Sequence, residues 1–265
     1  MRRIVIHLHA GSTETTPLSW AIGFSQRLNA RLSVIFLWRS REYVPSPADG
    51  FPGVVYEHEP ETAPEAAQAF RDMSAGHPFV SFAEAEIESV DMITRNGFVH
   101  DLTIVERLTE REGSRVADFN TAVFGTGGPV LVTPPTEVAT IAERPAVVWN
   151  ATVPSARAIR SAIPLLRLAE RTTILSSADN PDADPSALAS YLDCYGIRTE
   201  KQTFKTDSLT GRARGRALLE AAAGVGADLL VMGAYGEGKI TAMLGLGRAT
   251  EKVVTSCRVP LLVQA

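Results

Sequence analysis

The chain has 265 residues, a formal net charge of −4, 45% hydrophobic and 21% charged residues; this ordinary globular usage excludes global disorder and predicts one large domain or two small ones. The balance of 26 Lys+Arg against 30 Asp+Glu argues against nucleic-acid binding through phosphate neutralisation, and no apolar run reaches the length of a membrane span. Cys194 and Cys257 form no CxxC pair, and the opening MRRIVIHLHAGS is interrupted by His7 and His9, so neither a disulfide framework, a thiolate zinc site nor a signal segment is expected, and a cytoplasmic setting is.

In chain order, residues 3–9 (RIVIHLH) predict a first strand, followed by a helical pattern from Leu18 to Leu28 and a second strand within 30–38 (ARLSVIFLW). Residues 41–60 hold four Pro and two Gly with no helical period, which predicts a long irregular loop; its Tyr43, Phe51 and Tyr56 could cover a crevice. Glu84, Glu86 and Glu88 alternate on a strand pattern and read as a solvated face. Later strands are predicted in 100–107 (HDLTIVER) and 128–133 (GPVLVT).

The same order of parts then recurs. PAVVWN (145–150) matches the first strand, RTTILSS (171–177) the second, ADLLVMG (227–233) the fourth and VPLLVQ (259–264) the fifth, with a third strand at 199–204. Helices are predicted near 155–168, 185–195, 211–224 and 246–256. Leu32 and Thr172 are 140 positions apart, Asp101 and Asp228 only 127, so the first half carries about 13 extra residues, in the 41–60 region. The linker 134–144 (PPTEVATIAER) divides the chain into domains 1–140 and 141–265. Strands alternating with helices predict an α/β fold: two tandem doubly wound domains, each with a five-stranded parallel sheet. Ligands of such sheets bind outside the carboxyl ends of the strands where strand order reverses. In the second half those ends are Trp149-Asn150 and Met232-Gly233.

ADLLVMGAYGEGKITAMLGLGRATEKVVTSCRVPLLV (227–263) resembles the closing part of the universal stress protein family: a strand, G-x2-G-x9-G-[S/T], a helix and a last strand led by Val-Pro. VVWNATVPSARAIRSAIPLLRLAERTTIL (147–175) resembles the family's opening, in which a strand ends in Asp-Gly-Ser, and DFNTAVFGTGGPVLVTPP resembles the end of a first repeat in two-domain members. The resemblance implies a Rossmann-like universal stress protein fold with the halves paired about a pseudo-two-fold axis through their last strands. It also implies a stress-response role, with ATP or another adenine nucleotide held by the glycine loop and Mg2+ as its companion. The residues that carry over are Asn150, Gly233, Gly236, Gly238, Lys239, Gly247, Arg248 and Thr250. The motif is altered: ten residues separate Gly236 from Gly247, Arg248 replaces the Ser/Thr, Thr250 is the next hydroxyl, and Asn150-Ala151-Thr152 replaces Asp-Gly-Ser. Asn keeps an acceptor oxygen but loses the charge that suits a metal ion, while the Arg248 fork could grip phosphate.

The first half has no glycine pair after its fourth strand, which runs into Glu106-Arg107-Leu108-Thr109-Glu110, and His9 stands where the Asp is expected. His7 and His9, two apart on a strand, share a face; spacing fixes no third metal ligand, and a packed or hydrogen-bonded pair is the expectation. G-x4-G-K at Gly233–Lys239 lacks the following Ser/Thr of a P-loop, having Ile240. No G-x-S-x-G elbow exists, all five His precede the second half, and both Cys are expected to be buried. No catalytic constellation is predicted, with weak ATP hydrolysis as the upper limit. The competing reading is a scaffold that binds no nucleotide and acts through protein contacts, with homodimer formation left open.

Overall fold

The computed structural model describes residues 1–9, 16–38, 63–86, 91–107, 113–134, 136, 140, 142–205, 210–234 and 248–265. The first half runs β1 (Arg3–His9), α1 (Thr16–Arg27), β2 (Arg31–Trp38), α2 (Ala63–Ala75), β3 (Val80–Glu86), α3 (Asp91–Gly97), β4 (Leu102–Val105), α4 (Gly113–Gly125) and β5 (Val130–Val132). The second runs β6 (Pro145–Trp149), α5 (Val153–Leu166), β7 (Thr172–Ser177), α6 (Pro185–Asp193), β8 (Thr199–Phe204), α7 (Gly211–Gly224), β9 (Leu229–Gly233), α8 (Arg248–Ser256) and β10 (Leu261–Gln264).

All ten strands form one sheet in the order β3-β2-β1-β4-β5-β10-β9-β6-β7-β8. Every pairing within a half is parallel. Among the described strands only β5 and β10 meet antiparallel, Leu131 opposite Leu262. The expected pairing of last strands is therefore present, and it covers backbone groups that each half alone would leave at an open edge.

Strand alternation divides the core between the two faces of the sheet. Ile4, Ile6 and Leu8 of β1 point toward Leu18, Trp20 and Phe24 of α1, in the same core as Ile159 and Leu165 of α5. Val5 points the other way, into a core with Phe119 and Val123 of α4 and Val253 and Val254 of α8. The odd-numbered face of β1 carries His7 and His9 as well, so both histidines lie on the side that α3 and α4 cover.

Arg107 ties the halves together beyond the sheet. From the end of β4 its guanidinium donates to the carbonyls of Cys257 (3.0 Å) and Thr255 (2.5 Å) at the C-terminal end of α8, where a cation is favoured by unpaired carbonyls. The expectation for the cysteines holds for Cys257, which is buried, and fails for Cys194, which is exposed. Cys194 caps the end of α6, where its thiol donates to the Ser190 carbonyl (3.4 Å) instead of entering the core. Glu84 is exposed and paired with Arg71 of α2, in keeping with a solvated face. Glu88 and the 41–60 region lie outside the described residues.

Two crevices at the strand ends

Each half reverses strand order beside its first strand, so a crevice opens between the carboxyl ends of β1 and β4, and another between those of β6 and β9. The two are built from different chemistry.

In the second half, β6 pairs with β9 in a register that sets Val147 opposite Val231, which brings Trp149 and Asn150 level with Gly233. Gly233 touches the first turn of α5: a Cβ there would lie 2.6 Å from the Pro154 carbonyl carbon and closer still to Ser155 N. Only glycine permits that approach. Ala151 connects β6 to α5 with φ +58, the left-handed region an alanine enters at a cost of roughly 1 kcal/mol. The resembled motif has glycine at this position, so the backbone path is kept while the residue that follows it most easily is not.

Asn150 is exposed, and its Oδ1 accepts from Thr152 Oγ1 (2.7 Å) while its carbonyl accepts from Asn180 Nδ2 (3.4 Å). Thr152 caps α5 reciprocally with Ser155: Ser155 N donates to Thr152 Oγ1 (3.4 Å) and Thr152 N to Ser155 Oγ (3.2 Å). Pro154 has no N–H to offer. The start of α5 is thus largely satisfied by its own side chains and makes a poor anion cradle.

At the far side of the crevice, α8 begins at Arg248. Its start packs on α7, where a Cβ on Gly215 would lie 2.9 Å from the Ala249 carbonyl oxygen. Thr250, in the first turn, is buried, which leaves a ligand little access to its hydroxyl. Gly236, Gly238, Lys239 and Gly247 lie outside the described residues, as does the Arg248 side chain. Of the sequence-derived set, Asn150 and Gly233 therefore meet at the crevice, and α8 brings its first turn after the glycine loop.

In the first half the crevice is lined by His7, His9, Glu106 and Asp118, with apolar walls from Ile93, Val105 and Phe119. His9 Nε2 lies 3.5 Å from Asp118 Oδ2. His7 is 1% exposed, and neither ring nitrogen has a hydrogen-bond partner. Burial, with His9 and His100 adding like charge, pushes its pKa down to about 3, so the ring is neutral at ordinary pH. His7 is packed, as expected, but not hydrogen-bonded. Among the described residues no three His, Cys, Asp or Glu side chains are placed to hold a metal ion in either crevice. Asp118 and the orphaned state of His7 were not legible in the sequence, because the contact of Asp118 with His9 joins residues more than a hundred positions apart.

A doubly wound α/β sheet with its crevices at the switch points defines the class. The family model described as the universal stress protein family matches residues 198–264, from β8 to β10. A universal stress protein from Archaeoglobus fulgidus superimposes with TM-score 0.68 at 14% identity, over 98% of this chain and 95% of that one. A putative universal stress protein from Pseudomonas aeruginosa gives 0.61 at 15%, over 100% and 93%. No curated protein matches the chain. The chain thus matches the universal stress protein family model over its last quarter and shares the fold of solved universal stress proteins along its whole length.

Proposed function

We propose that this protein serves in the stress response by binding an adenine nucleotide, ATP by family resemblance, at the second-half crevice, and that order in the loop 233–247 reports its presence. The observation that carries this reading is the contact of Gly233 with the first turn of α5. It brings the first glycine of G-x2-G and the Asn150 end of β6 into one crevice at the switch point. Phosphates would be held by the glycine loop, Lys239 and the start of α8, since α5 caps itself. With Asn150 in place of a carboxylate and no metal-binding cluster among the described residues, Mg2+ would travel on the phosphates and not on a protein ligand.

Calorimetric titration of nucleotide-stripped protein with ATP and Mg2+ tests the reading. Micromolar binding at one site per chain, lost in Gly236→Asp, supports it. No heat and no thermal shift would overturn it. One observation favours a second reading in that event: Asn150 and the α5 start are engaged with Thr152, the arrangement of a crevice that no longer takes an anion. The protein would then act as a scaffold through protein contacts.

A further inference from the structure

The first-half crevice is closed over a group that its surroundings do not satisfy. The His7 ring is buried and neither nitrogen has a hydrogen-bond partner. The space beside it measures about 10 Å3, room for a water molecule and nothing larger. A proton added to this ring would be a buried charge with no hydrogen bond to receive it. The second half has no such group: Val148 stands two before Asn150, as His7 stands two before His9.

The helices that close the crevice are locked to each other. A Cβ on Gly125 of α4 would lie 2.5 Å from Thr94 Oγ1 of α3, and one on Gly97 closer still to Thr126. Displacing one helix therefore carries the other. Toward the sheet the pair offers mainly apolar contacts, with Ile93, Phe119 and Val123 in the same core as Val5 and Val105. Its polar ties are the His9–Asp118 pair at 3.5 Å and His100, which bridges the Asn96 carbonyl of α3 (2.6 Å) and Ser33 Oγ of β2 (3.1 Å).

We propose that α3 and α4 form an acid-released cover: they lift together from β1 and β4 when His7 takes up a proton, while the second half stays closed. In the closed form burial holds the His7 pKa at about 3, whereas a ring open to water titrates near 6.5. The closed form is thus favoured above about pH 6.5, and each step of acidification below it favours the open one. The groups around His7 are His9 on β1, Glu106 after β4, Asp118 on α4 and His100 before β4. α3 lines the crevice with Ile93 and carries Asp91 and Arg95 along its length; β2 places the apolar Ile35 beside His7. His9 and His100 push in the same direction as burial. The His9–Asp118 pair opposes them, since a charged His9 holds α4 to β1 more firmly.

Hydrogen exchange of the full chain tests this, read by mass spectrometry of peptides at pH 7.5 and 5.0 and corrected for intrinsic rates. The His7 proton alone predicts about thirtyfold lower protection of α3 and α4 at pH 5.0. The expected result is a fall of at least about tenfold there, with α5 and α7 unchanged. His7→Leu should abolish the pH effect; His7→Asn, which stays polar without titrating, replaces it if the leucine variant does not fold. An equal fall in both halves, unchanged protection of α3 and α4, or a pH effect that survives the His7 substitution overturns the proposal.

Discussion

Asp101 and Asp228 do the same work in the two halves. Each lies just before the fourth strand of its half and accepts the backbone N–H groups that open the first strand. Asp101 takes Arg2 N (2.6 Å) and Arg3 N (3.1 Å) on one oxygen; Asp228 takes Arg144 N (2.9 Å) and Glu143 N (2.8 Å), one on each oxygen. Each carboxylate thus fixes the register at the end of the sheet opposite its crevice.

Hydrogen bonds to a charged group contribute about 1.5–3 kcal/mol each at best. Asp228→Ala, at the more buried position, should cost about 2–3 kcal/mol by urea denaturation, and Asp101→Ala about 1 kcal/mol. The Arg2 and Arg3 N–H groups hold the Asp101 carboxyl below the usual carboxylate range. Its contribution is present above the ordinary carboxylate pKa and is lost as pH falls through the lowered one. Asp101→Asn should therefore flatten the stability profile below about pH 4.

His7 carries an acid sensitivity of the opposite origin. Its pKa is lowered to about 3 in the fold, so the unfolded chain binds the proton first as pH falls. Stability should decline from about pH 6.5 downward and level off only near the folded value, with about 2 kcal/mol lost at pH 5. The ionisable groups facing His7 are His9, Glu106 and Asp118 in the crevice, with His100 adding charge from the start of β4. Thermal melts of His7→Leu at pH 7.5 and 5 should differ by correspondingly less than those of the parent.

Gly233→Ala should be costly although alanine is the smallest addition. The new methyl meets backbone atoms of Pro154 and Ser155, not a flexible side-chain end, so α5 must move. A loss of about 2–3 kcal/mol is expected from overpacking against backbone, read by chemical denaturation, together with loss of any nucleotide heat.

Ala151→Gly should act in the other direction. At φ +58 glycine relieves about 1 kcal/mol of left-handed strain, partly offset by its freer unfolded state. A small rise in melting temperature, with the binding heat unchanged or larger, is the expected outcome.

Much of the architecture was legible because it rests on local alternation. The parallel strands are near-continuous apolar runs flanked by turn residues, so RIVIHLH and DLLVM marked themselves, whereas the β5–β10 pairing was implied by the family resemblance and not by the residues. The site was legible only where a single residue type has no substitute, as at Gly233. Side chains whose partners lie far away in sequence were not. Arg107 sits in a charged run that reads as solvent-facing, yet it reaches carbonyls about 150 positions on. Cys194 reads as core by composition, and only the end of α6 turns it outward. The Thr152–Ser155 cap was present in the letters as a hydroxyl pair three apart, but its consequence, a helix start with few free N–H groups, needed the geometry.

The antiparallel seam between β5 and β10 has a consequence for synthesis. β5 ends at Val132, and its partner begins at Leu261, about 130 residues later. At the usual elongation rate of about 5–20 residues per second, the nascent first half waits roughly 6–26 seconds with one flank unzipped. During that interval a β10 from a neighbouring polysome could fill the gap as readily as the chain's own. The finished molecule would then be an exchanged pair, and its yield would rise with expression level.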